Sequence, residues 1–525
     1  MYTAFLNAAQ LNTPMRGTPA TRVLRCVRSL LLIALTDAAA GGADAATSDT
    51  TAAAAPDTTS APIVEAAPMQ GELDAGDVTP IDDASAASSV EPVELNSDAP
   101  ASLSAEFWDA LVGGKIDFYA RYRFEQVEDD QLPVLRNAHA NTLRTTLGYS
   151  TQLFHDFGAY VQLEDVRVIG DARYNDGGSN GIVNRAVVVD PEGTEVQQAL
   201  LRYRGIPRTQ LMIGRQEIEH RAAPLNRYVG AVPWRQNWQS FDGIRVTSDY
   251  LPAFKADYSH IWNVNRIFGE ANPIADRSDY DVGGHLLSVT YSGIPYSTLE
   301  GYAYLLNFDS NAAATKALST STYGARLQGA WDVVQYAAKL LYTAEYAQQR
   351  DYADNPIEVS VDYTLLELGL NKAFPYAEFE SVMAKVSYEV LEGEGRKAVG
   401  AGFVPGSFQT PLGTNHAFHG WADRFLTTPA DGVEDWYGTV TVRAFATNLM
   451  LVYHTYSSSN DDYDYGHEWN LQLTRAFADH YTVGLKYADY RAADDTLNRA
   501  RNGAASAGKQ AFDLKKVWAS VELRF

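Results

Sequence analysis

The chain ends on the stretch KVWASVELRF, residues Lys516 to Phe525. Apolar side chains occupy every second position of this stretch, at Val517, Ala519, Val521, Leu523 and Phe525, and Lys516, Trp518, Ser520, Glu522 and Arg524 fall between them. Because successive side chains of a strand point to opposite faces, the stretch predicts a strand with one apolar and one polar face.

The same period of two recurs upstream along the chain. In the first such segment Ile116, Phe118, Ala120, Tyr122 and Phe124 alternate with Asp117, Tyr119, Arg121, Arg123 and Glu125. We count roughly 18 segments of this kind, an even number, as bacterial single-chain barrels have when both chain ends lie on one side. The sequence therefore predicts an all-β fold, a transmembrane antiparallel β-barrel of about 18 strands.

The connections between these segments alternate in length. Short turns are predicted at Gly205–Pro207, Tyr250–Pro252, Ser292–Pro295, Lys372–Pro375 and Phe477–His480, and long segments at Arg167–Thr194, Glu217–Gln239, Arg266–Gly283, Leu391–Asp435 and Arg491–Ala511. Outer-membrane barrels have short periplasmic turns and long outer loops, whereas a soluble sandwich has no reason to collect its long loops at one end. The terminal strand then resembles the signal that the outer-membrane assembly machinery reads, so this machinery is an expected partner.

The negative charge of the chain is unevenly distributed. The formal net charge is -23. The segment between Arg28 and Lys115 contains no basic residue, and thirteen acidic residues accumulate in its part from Asp37 to Asp98. An acidic chain disfavours nucleic acid as a partner, because Lys and Arg make the contacts to phosphate. The segment is rich in Ala, Thr, Ser and Pro, so it cannot bury enough apolar surface to offset its ordering entropy and is predicted to be disordered.

The amino terminus has the order of a secretory signal. Basic residues precede the apolar run Leu30–Leu35 and the small residues Ala38–Ala40, and the run is too short to span a bilayer. Cys26 is the only cysteine, so no disulfide is expected. The predicted domains are a signal peptide (1–40), a disordered acidic periplasmic tail (41–105) and the outer-membrane barrel (106–525), with a short helix near Phe107–Leu111.

Charged residues lie on the polar phase of the strands, where we expect them to face the lumen. A base on the lipid face near the membrane centre would cost about 2 to 4 kcal/mol. The predicted substrate path comprises Arg121, Arg123, Arg144, Arg202, Arg245, Lys339, Lys385, Lys486, Glu125 and Glu367. Rings of bases favour anions in a pore. The small excess of bases leaves three alternatives: an anion-selective pore, an unselective or cation-preferring pore, and a ladder that serves folding alone.

The segment Phe408–Gly432 is too long for a hairpin turn and too rich in apolar residues to extend freely into solvent. We predict that it is a gating loop that folds into or over the channel; the alternative is a packed extracellular cap. The residues proposed for this loop are Phe408, Pro411, His416, Trp421 and Asp423.

Two segments have some features of a metal site. The spacing of His416, His419 and Asp423 allows convergence on an ion, but neither a third His nor a Cys accompanies them. The stretch Arg173–Gly181, RYNDGGSNG, offers oxygen ligands for Ca²⁺ or forms a glycine-rich turn without an ion. We therefore expect neither a metal nor another cofactor.

Several segments resemble the alginate export family of outer-membrane proteins. They are ANTLRTTLGY (Ala140–Tyr149), GRQ (Gly214–Gln216), WRQNWQSFDG (Trp234–Gly243), NRIFG (Asn265–Gly269) and the segment Phe408–Gly432, together with the terminal strand. The resemblance implies a wide monomeric barrel of about 18 strands that conducts an anionic polysaccharide. Within the last loop segment the sequence departs from the family pattern at Gly413, Asn415 and His419.

The predicted function is an outer-membrane channel for anionic oligo- or polysaccharide or for other small hydrophilic solutes. An uptake porin is the first alternative, and an outer-membrane enzyme is the alternative from another class. No G-x-S-x-G element or other nucleophile signature accompanies His139, His260, His285 or His454, so we expect no catalysis. The expected location is the outer membrane of a Gram-negative bacterium, among lipid and lipopolysaccharide, as a monomer; a periplasmic partner is a further candidate.

Overall fold

The computed structural model describes residues 102–131, 135–222, 226–274, 276–376, 378–460, 463–478, 480–493 and 508–525. The expected signal peptide and nearly all of the expected acidic tail lie outside these residues, so both remain predictions. Among the described residues, no helix is long and apolar enough to cross a membrane.

The described residues form two α-helices and twenty strands. The helices are α1 (Leu103–Val112) and α2 (Ala313–Lys316). The strands are β1 (Lys115–Asp129), β2 (Ala138–Ser150), β3 (Phe157–Val168), β4 (Gly193–Ile206), β5 (Thr209–Gln216), β6 (Ser240–Ser248), β7 (Phe254–Asn265), β8 (Asp279–Ile294), β9 (Ser297–Phe308), β10 (Thr320–Val333), β11 (Ala338–Asp351), β12 (Ser360–Tyr376), β13 (Phe379–Leu391), β14 (Gly393–Val399), β15 (Gly402–Ser407), β16 (Val433–Ala444), β17 (Thr447–Ser457), β18 (Asp464–Phe477), β19 (Tyr481–Ala492) and β20 (Leu514–Arg524).

Eighteen of these strands form one closed antiparallel sheet. Each strand pairs with its neighbour in sequence, except that β13 pairs with β16 past the hairpin of β14 and β15, and β20 closes the barrel on β1. The seam extends to the last residue, because Phe118 and Phe525 exchange backbone hydrogen bonds of 3.0 and 2.9 Å. The prediction of an 18-stranded barrel is confirmed.

The connections alternate between the two ends of the barrel, as predicted. One end, which we call the turn end, carries the start of β1, the end of β20 and the short turns. The opposite end carries the long connections, which join β3 to β4, β5 to β6, β7 to β8, β13 to β16 and β19 to β20. The turn predicted at Lys372–Pro375 was wrong, because all four residues lie within β12.

The two faces of the wall differ in chemistry. Apolar side chains on the outer face, such as Leu147, Leu201 and Leu485, are exposed. Aromatic pairs lie on the outer face near both ends, with Phe157 against Tyr203 and Phe254 against Tyr291 at the turn end, and Tyr388 against Trp436 and Tyr453 against Trp469 at the loop end. An apolar band between two aromatic girdles is the surface that a barrel presents to lipid.

Candidate functional site: the constriction of the barrel

Two loops fold into the lumen and meet there. Loop A (residues 217–239) joins β5 to β6, and loop B (residues 392–432) joins β13 to β16. Their backbones form a parallel bridge between Val229 and Leu412, and the Gly230 N–H donates to the Leu412 carbonyl over 2.9 Å. The loops therefore act as one unit across the channel.

Gly413, one of the departures from the family pattern, permits this close approach. A Cβ atom at this position would overlap the carbonyl oxygen of Arg227 in loop A. Only glycine lets the two backbones come this near without displacing one of them. The departure therefore has a structural reason, the pairing of the loops.

Loop A is bound to the inner face of β1 and β2 by two of the predicted lumen arginines. Arg121 donates to the Pro233 carbonyl over 2.8 Å and to the Gln236 side chain over 2.9 Å. Arg144 donates to the Gln236 carbonyl over 3.1 Å, pairs with Glu164 over 2.7 Å and lies 3.7 Å from the ring centroid of Trp238. Both guanidinium groups are buried, and their hydrogen bonds position the loop.

The next inward pair of β1 also contacts loop A. Arg123 forms a short ion pair with Asp190 and lies 4.9 Å from the ring centroid of Trp234. Glu125 accepts from Arg235 over 3.4 Å. The structure therefore brings four of the ten predicted path residues, Arg121, Arg123, Glu125 and Arg144, beneath loop A.

Asp423 of loop B is the centre of a buried cluster of charged and imidazole groups. It accepts from His416 Nδ1 over 2.6 Å and from Arg235 over 3.4 Å, and it pairs with Lys516 of β20. Burial alone would raise the pKa of Asp423, but the hydrogen bond from His416 and the charge of Lys516 hold that pKa well below its ordinary value. The carboxylate is therefore ionised and joins loop B, loop A and the wall.

Aromatic rings surround a lysine at the same place. The His416 and Trp234 rings stack with centroids 3.9 Å apart, and Lys486 Nζ lies 2.9 Å from His416 Nε2. The same Nζ lies 4.0 and 4.1 Å from the ring centroids of Trp234 and Trp421. Burial lowers the pKa of His416 well below its usual value, so the ring is neutral, donates to Asp423 and accepts from Lys486.

A second buried cluster attaches both loops to β13, β16 and β17. Arg227 of loop A makes short contacts with Glu389 and with His419 Nε2. His419 Nδ1 lies 3.2 Å and His454 Nδ1 2.9 Å from Asp435. Glu389, His419 and Asp435 are close enough together to hold a metal ion. The Arg227 guanidinium, however, already supplies the positive charge between Glu389 and His419.

Loop A also reaches the opposite wall. Arg221 donates to Glu300 of β9 over 2.7 Å and to Glu345 of β11 over 2.8 Å, and Arg326 of β10 pairs with the same Glu345 over 2.7 Å. Charged hydrogen bonds therefore hold the constriction on both sides of the lumen.

A cavity opens from the constriction toward the turn end. Its walls include the bases Arg121, Arg123 and Lys486, the rings of Trp234 and Trp518, and the acid Glu522. The indole N–H groups of Trp234 and Trp518 have no acceptor among the described residues. The cavity is thus lined by positive charge and by aromatic surface.

The remaining predicted path residues lie on the inner face away from this cavity. Arg245 pairs with Asp257 over 3.0 Å and contacts the loop A backbone, and Lys385 forms a short ion pair with Glu367. Arg202 donates to Ser150 Oγ over 2.6 Å, and Lys339 shares the inward register of β11. The prediction that the polar phase faces inward thus agrees with the geometry, while a role in conduction stays a proposal.

The residues proposed for the gating loop all lie in loop B within the barrel. Phe408, His416 and Trp421 are buried, and Pro411 is partly buried. The Asp423 side chain lies in the buried cluster described above. In the other candidate ion site, Asp176 Oδ1 accepts three backbone N–H groups, from Gly178, Ser179 and Asn180, and so stabilises the turn.

Sequence reasoning missed the inward path of loop A and its residues Arg221, Arg227, Trp234, Arg235 and Gln236. The available signal was the motif WRQNWQSFDG, which places two Trp, an Arg and two Gln in one long connection. Such a segment is too rich in aromatic and amide groups for a solvated loop.

A closed antiparallel barrel with an apolar outer band, a charged lumen and inward loops defines the porin class of outer-membrane barrels. Over residues 115–373 the chain matches the model of the alginate export family, described as alginate export, which confirms the resemblance seen in its motifs. This match covers β1 to most of β12 and ends before loop B.

Solved structures of similar fold are outer-membrane porins. OccAB2 of Acinetobacter baumannii has a TM-score of 0.57 at 13% identity, covering 79% of this chain and 99% of that chain. OccAB4 of the same organism scores 0.54 at 13% identity, with coverages of 78% and 98%. OpdK of Pseudomonas aeruginosa, solved with vanillate, scores 0.53 at 14% identity, with coverages of 79% and 100%. No curated protein sequence matches the chain.

Proposed function

We propose that this protein is a monomeric channel in the outer membrane of a Gram-negative bacterium that conducts small hydrophilic anions through the constriction of loops A and B. The observation that carries the proposal is the cavity lined by Arg121, Arg123, Lys486, Trp234 and Trp518. Bases attract a carboxylate, and indole rings offer a flat apolar surface to a sugar or aromatic ring.

The constriction combines recognition with release. Most of its cations also pair with acids, such as Glu164 and Asp423, so the field that a solute meets is positive but weak. A conducting site has to bind well enough to admit a solute and weakly enough to release it. The same proposal has three further parts. The predicted path residues line the lumen, the assembly machinery inserts the barrel through its terminal strand, and the outer rim contacts lipopolysaccharide.

Charge reversal in the wide turn-end part of the lumen should change ion selectivity. Arg202 and Lys255 lie in the inward register of β4 and β7, away from the cavity. In planar bilayers the native protein should show open-channel current with weak anion preference. The double variant Arg202→Glu with Lys255→Glu should raise the cation-to-anion permeability ratio by about twofold or more.

Arg208→Glu provides the matched control for this experiment. Arg208 carries the same charge in the exposed turn between β4 and β5, where it pairs with Asp249 over 3.1 Å. Its reversal should leave the permeability ratio unchanged. A silent native protein would contradict the channel proposal, and an equal shift in the control would remove Arg202 and Lys255 from the conduction path.

A second candidate function is export of an anionic polysaccharide, which the alginate export match over residues 115–373 favours. Oligomers of uronic acid in increasing length separate the two functions. A channel for small anions should show brief current block by short oligomers and exclusion of long ones. Transit of long chains through reconstituted vesicles would favour polysaccharide export.

A further inference from the structure

Helix α1 precedes the barrel at the turn end. It starts after Ser102, whose side chain caps the helix by accepting from the Ala105 N–H over 3.3 Å, and it ends at Gly113. Two glycines then lead into β1. The sequence LSAEFWDALV is apolar at seven of its ten positions.

The apolar residues of α1 form an exposed face. Leu103, Trp108 and Val112 are 65%, 59% and 77% exposed, and Phe107 and Leu111 are exposed beside them. At 3.6 residues per turn these five positions share one side, opposite the acids Glu106 and Asp109. An exposed apolar face of this size requires a partner.

Helix α1 contacts the outward-facing Tyr149 of β2 and the turn between β2 and β3. The Tyr149 hydroxyl, on the outward register of β2, donates to the Leu111 carbonyl. The Gln152 N–H donates to the Ala110 carbonyl over 3.0 Å, and the rings of Phe107 and Phe154 meet edge to face at 5.5 Å.

The exposed face of α1 continues the lipid-facing band of the barrel. Ile116 and Phe157, both on the outer face at the turn end, are 71% and 56% exposed next to the helix contacts. Phe157 also belongs to the aromatic girdle through its contact with Tyr203. The helix and the girdle therefore lie at the same membrane boundary.

We propose that α1 is an interfacial anchor whose apolar face inserts into the periplasmic leaflet of phospholipid. This inference rests on the proposed placement of the barrel in the outer membrane. The helix carries two acids and no base, so attachment comes from apolar insertion and not from attraction to anionic headgroups.

Spin labels test the insertion directly. In a Cys26→Ala background, single cysteines at Trp108→Cys and Val112→Cys report on the apolar face, Asp109→Cys on the acidic face and Leu147→Cys on the barrel band. The protein is folded into phospholipid vesicles, and collisions of each label with oxygen and with a water-soluble nickel chelate are compared by power saturation. We expect the oxygen-to-nickel ratio at positions 108 and 112 to match position 147 and exceed that at 109 by about threefold or more.

The other outcomes overturn the proposal in distinguishable ways. Equal nickel accessibility at 108, 112 and 109 places the helix in water. Exclusion of both oxygen and nickel from 108 and 112 means that protein covers the face. Nickel accessibility at 147 contradicts the membrane placement of the barrel itself, and with it the proposed function.

Discussion

Replacement of Asp423 by alanine should release loop B from the wall and raise the single-channel conductance by about twofold or more. The carboxylate pairs with His416, Arg235 and Lys516, which come from both loops and from β20. Removal of one partner of a buried ion pair leaves the others uncompensated and costs about 3 to 5 kcal/mol. The loop should therefore leave the lumen, and the open state should become noisier.

Glu394→Ala is the matched control for Asp423→Ala. Glu394 lies in the β14–β15 hairpin of the same loop and pairs with Lys397 over 2.9 Å at a partly exposed site. Such a pair contributes about 0 to 1 kcal/mol, so its loss should leave the conductance unchanged. An unchanged conductance in Asp423→Ala itself would show that loop B does not limit the current.

The strands were predictable because strand periodicity is local. A period of two that continues into Val517–Phe525 fixes both the strand and the direction of its side chains, as the register of β20 against β1 confirms. The errors arose at turns. Pro375 suggested a turn, but a proline without an N–H is also tolerated near the end of a strand, where β12 places it.

Only part of the constriction was predictable, because the residues that contact one another there are far apart in sequence. The alternation of side chains along β1 places Arg121 on the inner face. Its acceptors Pro233 and Gln236, however, lie in loop A, more than a hundred positions away. Periodicity carries no information on which loop turns inward. Composition indicates this for loop B through its aromatic residues, and Trp234–Gly243 carries the same aromatic signal for loop A.

Separate neutralisation of Arg227 and of Glu389 should destabilise the barrel more than their joint replacement. Arg227→Met leaves the buried Glu389 carboxylate without its guanidinium, and Glu389→Gln leaves the buried Arg227 without its negative partner. Each single change should cost about 3 to 5 kcal/mol in the free energy of unfolding. The double variant should lose less than the sum, because neither charge remains uncompensated. Urea titration of the barrel in lipid vesicles, followed by tryptophan fluorescence, measures all four proteins.

The coupling energy between Arg227 and Glu389 shows whether their ion pair stabilises the fold or whether the two residues are only close in space. We expect a coupling of about 1 to 3 kcal/mol for Arg227 and Glu389. The partly exposed pair of Arg167 and Asp165, 2.6 Å apart on the outer side of β3, should show about 0 to 1 kcal/mol in the same cycle. Strict additivity for Arg227 and Glu389 would contradict the assignment. In that case loop A would be held by Arg121, Arg144 and Arg221, and the second cluster would have no part in fixing the constriction.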